Sequence, residues 1–244
     1  MKADEKEAIY LLSNFTHQVI NPLSGVIGTI DNIIDGTVPS SNIITRLNIV
    51  RGQLGATISS IRNLAFIAKY MAEDNEEAHD EIEKICIIPK IIIDALTFYQ
   101  EQAKQKRIHI ELEGREIQNA VKGNPDLLKQ VLMNIFDNGV KYGVEGEKII
   151  VKDWIQTKTK DLMINVSGRS IGFDNCEDIF ELGVRGKAAK LQTSSGTGIG
   201  LYVCKRIIEK SFKGHIAASH SDKLGLTIFE IRIPGGFLNE REND

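Results

Sequence analysis

Cysteine is scarce in this chain, and its three copies, Cys86, Cys176 and Cys204, stand apart with no CxxC pair. An odd, scattered set excludes a disulfide framework and a structural zinc site, and it suits a reducing, cytoplasmic setting. Long hydrophobic runs are missing as well. None reaches the roughly 18 residues that a membrane span needs, and the opening MKADEKEAIY lacks the apolar stretch of a signal peptide. Nor is there an excess of one charge. A net charge of −3 gives no general pull towards nucleic acid or anionic lipid, so neither is expected as a partner. What is present is ordinary: 42% hydrophobic residues in 244, enough for one large or two small buried cores.

The first 72 residues have a helical period. Ile9, Leu12, Thr16, Val19, Leu23, Val26, Ile30 and Ile33 step by three and four, and only Thr16 among them is polar. DGTVPSS, Asp35 to Ser41, breaks the run with glycine, proline and capping serines. The stepping then resumes at Ile43, Leu47, Val50, Leu54, Thr57, Ile61, Leu64, Ala68 and Met71. The pattern predicts an antiparallel helical hairpin over 1–72. Apolar flanks at Phe15, Ile20, Ile27 and Ile34 leave more to bury than two helices cover. A homodimer through residues 5–72, closing a four-helix bundle, would bury them.

AEDNEEAHDEIEK is acidic and aperiodic, and 73–84 reads as a linker. Beyond it, over 85–244, helical and alternating segments interleave. IPKIIIDALTFYQEQAKQK reads as helix and RIHIELEG as strand. NPDLLKQVLMNIFDNGVKYG reads as helix, with Asn124 as cap and Pro125 in the first turn. Two strands joined near Gln156–Asp161, a helix around GIGLYVCKRIIEK and a closing hairpin follow. The fold class is therefore α+β: a helical hairpin, then an α/β sandwich with helices on one face of a mixed sheet.

Three stretches hold candidate chemistry. SSGTGIGLYV places Gly196, Gly198 and Gly200 before a helix, where close backbone approach and free amides suit phosphate. It is neither a Walker loop nor a dinucleotide fingerprint, and a plain glycine hinge reads equally well. In QVLMNIFDNGVKY, Asn134 and Asn138 stand four apart and share a helix face, with Lys141 three further on. Two carboxamides and a lysine can ligate Mg²⁺ through oxygen and steady a polyphosphate, although such a stripe is also an ordinary solvated face. FTHQVINPL puts His17 next to a seam position, so its ring points outwards, and Pro22 removes a helical hydrogen bond close by.

Taken together these motifs resemble the catalytic core of a two-component sensor histidine kinase. FTHQVINPL is similar to the family's phosphoacceptor box, QVLMNIFDNGVKY to its asparagine box, IFELGVRG to its phenylalanine box, and GTGIGLYVCKRIIEKSFKGHI to its second glycine box. The resemblance implies a dimeric hairpin joined to an ATP-binding sandwich. It implies His17 as phosphoacceptor, Asn138 as Mg²⁺ ligand and Asn134 lining the same site. Lys141 and Tyr142 would lie beside ATP, and Arg185 would approach the terminal phosphate. Gly172, Gly196, Thr197, Gly198, Gly200 and Leu201 would complete the nucleotide contacts, with a lid over 187–197. The implied partner is the receiver domain of a response regulator.

Two departures stand out. The family often has an acid after the phosphoacceptor; here it is Gln18, an amide that orients a ring but takes no proton near neutral pH. The family's first glycine box, DxGxG, has an Asp that accepts from the adenine amino group. The matching VSGRSIGFD has Gly168 there and Ser170 at the first glycine, and keeps only Gly172. Losing a charged partner from such a contact costs roughly 1.5–3 kcal/mol. Three expectations follow. The chain is a kinase with weakened base recognition, a phosphotransfer or phosphatase protein in which Asn21 orients water, or a dimeric scaffold without catalysis. A gyrase- or chaperone-type ATPase is disfavoured, since Asn134 stands where those enzymes use a glutamate.

Overall fold

The computed structural model describes residues 19–72, 84–114, 117–173, 175–186 and 198–239. The chain divides into two compact units, 1–75 and 76–244.

In the first unit, α1 (Asn21–Ile34) and α2 (Ile43–Ala72) pack on one another. Pro22 sits in the first turn of α1, and Val19–Ile20 form a wider π-helical turn just before it, where the proline's missing N–H leaves the α ladder incomplete. The turn of 35–42 closes with Gly36 at φ 69° and a short 3₁₀ segment, Ser40–Asn42. Val19, Val26, Val50 and Thr57 of the expected seams are buried, and Thr57 Oγ1 satisfies itself by donating to the Gln53 carbonyl at 2.8 Å. Ile30 and Ile61 are not buried. Instead α2 buries a second face, Ser59, Asn63 and Ile67, spaced by four. Two of those three residues are polar, so the stepping of apolar residues could not report that face.

The second unit holds two sheets. One has the strand order β1 (Lys84–Ile87), β3 (Asn119–Gly123), β8 (Phe237–Leu238), all antiparallel. The larger runs β2 (His109–Glu113), β4 (Lys148–Ile155), β5 (Leu162–Arg169), β7 (Leu226–Ile233), β6 (His215–Ser221). There β2–β4 is parallel and the remaining pairs are antiparallel. The small sheet was not anticipated. Its β1 starts at Lys84, inside the expected linker, and β8 is only two residues long. Elements this short show no usable periodicity.

The helices are α3 (Ile88–Leu96), α4 (Gln100–Gln105), α5 (Pro125–Tyr142) and α6 (Gly200–Ser211). The single helix expected over 88–106 is broken at Thr97–Tyr99 into α3 and α4. Strand burial alternates as one covered face demands: Ile149, Val151 and Asp153 on β4, Leu162, Ile164 and Val166 on β5, Phe229, Ile231 and Ile233 on β7. Leu128, Leu132, Ile135 and Phe136 of α5 and Val203, Ile207 and Ile208 of α6 supply the opposing layer. Each such side chain contributes about 1.5–3 kcal/mol by leaving water. Gly139 lets α5 lie close on β4, since a Cβ there would stand 3.0 Å from Ile149 Cδ1.

Candidate nucleotide site

Helix α5 is the organising element. Its start is fixed as the sequence predicts: Asn124 Oδ1 accepts from the Asp126 and Leu127 amides at 2.9 and 3.4 Å, and Pro125 follows in the first turn. Its end is held by a group no motif indicated. Lys106 Nζ donates to the carbonyls of Val140 and Lys141 at 2.8 and 2.7 Å, placing a cation on the negative end of the helix dipole. Burial pulls the Lys106 pKa down, with Glu145 working in the opposite direction.

From this helix three motifs are reached. Asn134, 5% exposed, donates from Nδ2 to the carbonyl of Gly200 at 3.2 Å. It thereby ties the middle of α5 to the first turn of α6. A Cβ on Gly200 would lie 3.5 Å from the Asn134 carboxamide, an ordinary van der Waals contact, so the hydrogen bond and not a need for glycine marks this crossing. One turn on, buried Cys204 donates to the Val131 carbonyl at 3.6 Å, and burial raises its pKa to about 12. That thiol is a packing group, inert as a nucleophile.

The second contact lies between Gly198 and the phenylalanine-box segment. Gly183 N donates to Gly198 O at 3.0 Å. Gly198 has φ +66°, and a Cβ there would meet the Gly183 carbonyl carbon at 2.5 Å and Val184 O at 2.7 Å. No other residue fits that crossing. Arg185, half-buried, follows directly. The third contact joins the end of α5 to the first glycine box: Ile171 N donates to Tyr142 O at 3.2 Å, Val144 N to Arg169 O at 2.9 Å, and Gly143 bridges Ser170.

The sequence-predicted residues are thus distributed as follows. Asn134, Asn138, Lys141, Tyr142, Gly172, Arg185, Gly198, Gly200 and Leu201 all lie in the second unit; the 198–200 and 168–172 segments meet α5, and the phenylalanine-box segment meets Gly198. Asn138 is half-buried one turn beyond Asn134. Lys141 is taken up by Asp137, its Nζ 2.5 Å from Oδ2, a pairing one turn apart. Gly196 and Thr197 lie outside the described residues, as do His17, Gln18 and the expected lid. Asn21 begins α1 and is exposed. Arg169 forms a solvent-exposed pair with Glu147 at 3.1 Å.

The set of donors fits one end of a nucleotide better than the other. Two carboxamides and the amino terminus of α6, with a left-handed glycine just before it, are groups suited to phosphate. At the base end Gly168 offers no side chain. It lies in register between Ile149 and Thr227. A Cβ there would meet Lys148 O at 3.1 Å and Ile149 Cγ1 at 3.3 Å, so β4 has closed on the glycine.

Residues 123–236 match the family model described as histidine kinase-, DNA gyrase B-, and HSP90-like ATPase. That domain and the helical segment ahead of it are together similar to the catalytic core of sensor histidine kinases. It is 24% identical to the sensor histidine kinase WalK of Bacillus subtilis, over 98% of this chain and 38% of WalK. It is 25% identical to the sensor protein KdpD of Clostridium acetobutylicum, over 92% of this chain and 24% of KdpD. The chain spans about a quarter to two thirds of the length of these and other curated relatives it matches. Among solved structures, the Acinetobacter baumannii histidine kinase AdeS matches with TM-score 0.58 at 18% identity, over 87% of this chain and 94% of that one. The histidine kinase-like fold recurs in full-length ShkA, solved with AMPPNP, with TM-score 0.57 at 16% identity, over 91% of this chain and 45% of ShkA.

Proposed function

We propose that this chain transfers the γ-phosphoryl group of a Mg²⁺-bound nucleotide to His17, and from there to an aspartate on the receiver domain of a response regulator. The observation that carries the reading is the convergence on α5 of the Gly198–Gly200 segment and the 168–172 segment. Asn138 would offer its carboxamide oxygen to Mg²⁺, which neutralises phosphate charge when bound. Asn134 would hold the amino terminus of α6 against the phosphates.

The neutral imidazole of His17 attacks the γ-phosphorus as the bond to the β–γ bridging oxygen breaks, and ADP leaves with that electron pair. The imidazole proton passes to solvent, because Gln18 is no base. Without a general base the step is slower by ~10²–10⁴ than with one, yet the ring is nucleophilic enough to proceed. The product is a phosphoramidate, and the receiver carboxylate then displaces the imidazole at phosphorus.

Incubation with γ-labelled ATP and Mg²⁺ tests this directly. Acid-labile, alkali-stable label on the wild type and none on His17→Ala is the expected result. An unlabelled wild type overturns autophosphorylation.

One observation favours a second reading, a phosphotransfer or phosphatase protein. The base end lacks its carboxylate while Asn21, one turn after His17, stays exposed at the head of α1. In that case a phosphorylated receiver domain would lose its label to the wild type but not to Asn21→Ala. Both readings place the chain in the cytoplasm, as a homodimer through 5–72.

A further inference from the structure

The row of residues across the large sheet at Gly168 runs Ile149, Gly168, Thr227, His220. Residues opposed across antiparallel strands point to one face. The bare glycine therefore lies beside a threonine and a histidine, on the face that the helices cover. Ser170 joins them: its Oγ is 2.7 Å from Thr227 Oγ1, which is 2.8 Å from His220 Nδ1. The imidazole, 7% exposed, is wedged in place. A Cβ on Gly172 would fall 2.6 Å from its Cδ2, and the Phe173 ring centroid is 5.8 Å away. Its Nε2 stands 3.5 Å from Asp222 Oδ1.

A carboxylate accepts hydrogen bonds and never donates, so it selects an amino group and rejects a carbonyl. The chain Ser170–Thr227–His220 has no fixed polarity. In one arrangement Ser170 donates to Thr227, Thr227 donates to His220 Nδ1, and the ring carries its proton on Nε2, towards Asp222. The Ser170 lone pairs and the Ile171 carbonyl are then left to accept. In the other, His220 Nδ1–H donates to Thr227 and Thr227 to Ser170. The Ser170 proton rests on Ile171 O at 3.1 Å and can turn to a ligand. Both arrangements use the same heavy-atom positions, so exchange between them requires no backbone movement, and only the first turns a proton from Nε2 towards Asp222. Gly168, Ser170 and Ile171 are all partly exposed, which leaves this edge within reach.

We propose that Ser170, Thr227 and His220 are the base-reading residues of this chain, and that they take 6-amino and 6-oxo purine nucleotides alike. This rests on the nucleotide-binding reading above. Mg-ATP and Mg-GTP should bind within about tenfold of each other, since one hydrogen bond at this edge is worth about that much. A site built around one fixed acceptor would separate them by ~10⁴.

The test is calorimetric affinity for both nucleotides in the wild type and in His220→Phe. That substitution keeps the ring against Gly172 and Phe173 but removes the Nδ1 acceptor. Thr227 is then left to donate to Ser170, which fixes the donor arrangement, and the affinity ratio should move towards GTP by about three- to tenfold. Ser170→Ala, at the exposed end of the chain, should remove that bias and weaken both nucleotides; it reads the same ratio if the ring variant fails to fold. Imidazole ¹⁵N spectra give a separate readout: His220 should carry its proton on Nε2 with ATP and on Nδ1 with GTP. Strong rejection of GTP by the wild type, or a ratio and tautomer untouched by these changes, overturns this inference and leaves nucleotide binding standing. Binding of neither nucleotide at millimolar concentration overturns the nucleotide reading itself.

Discussion

Asp153 stands in a row of the sheet with Ile164, Ile231 and Ile216, three apolar side chains, and is 7% exposed. Asn119 Nδ2 donates to its Oδ2 at 2.7 Å and to its own carbonyl at 3.2 Å. Its Oδ1 has no hydrogen-bond partner among the described residues. Burial raises its pKa above the carboxylate value of 3.8, and the Asn119 hydrogen bond offsets only part of that. A raised pKa in the folded state means that folding favours the protonated acid. Its contribution to stability is complete below 3.8 and is lost as pH rises through the folded pKa. Asp153→Asn keeps the shape and the contact with Asn119 without the charge. Relative to wild type the variant should gain melting temperature at neutral pH, and that advantage should shrink as pH falls towards 4. Thermal scans across pH 4–8 check it, and a difference independent of pH refutes the assignment. Sequence alone did not single out this residue: Lys152-Asp153 reads as a charged stretch, and only the register buries one of the pair.

At the scale of elements, α5 shows what was legible and what was not. Asn124 and Pro125 mark its start in the sequence, and the cap forms as read. Asn124→Ala should cost about 1 kcal/mol of unfolding free energy, measured by urea denaturation at unchanged m-value. A larger loss would mean that Asn124 does more than cap. The spacing of Asn134 and Asn138 was equally plain, because four residues share a face in any α-helix. The use of Asn134 was not. Its hydrogen bond to Gly200 spans 66 residues, and no local pattern encodes a partner so far away. Lys106 escaped notice for the same reason: it caps a helix that ends about 35 residues later. Lys141, expected at phosphate, is paired one turn back with Asp137, a partner that was present in the sequence and passed over.

The molecule as a whole is two compact units, 1–75 and 76–244. The first exposes Ile20, Ile27, Ile30, Ile34, Ile44, Leu47, Ile58 and Ile61, among them residues of both expected seams. Isolated exposed apolar residues are common, but eight in this unit would give another helix pair a surface to pack on. Sedimentation at micromolar concentration should give a dimer, and Ile27→Glu with Ile34→Glu should shift it to monomer without unfolding 84–239. A monomeric wild type rules the bundle out.

Periodicity, caps and motif order were written locally, and local physics was enough to read them. A helix repeats every 3.6 residues and a strand every two, whatever surrounds them. Hence the hairpin, α5, the β4–β5 and β6–β7 pairs, and the motif set of a histidine kinase core were within reach of the sequence alone. Only the tertiary structure decided which distant groups meet: Asn134 with Gly200, Gly198 with Gly183, Asp153 with Asn119, and the hydroxyls of Ser170 and Thr227 with His220. His220 showed nothing at the level of sequence, since a histidine in an alternating strand is most simply a polar outward residue. Strand register, which one slipped residue would reverse, turned it inwards beside the vacant place of the carboxylate.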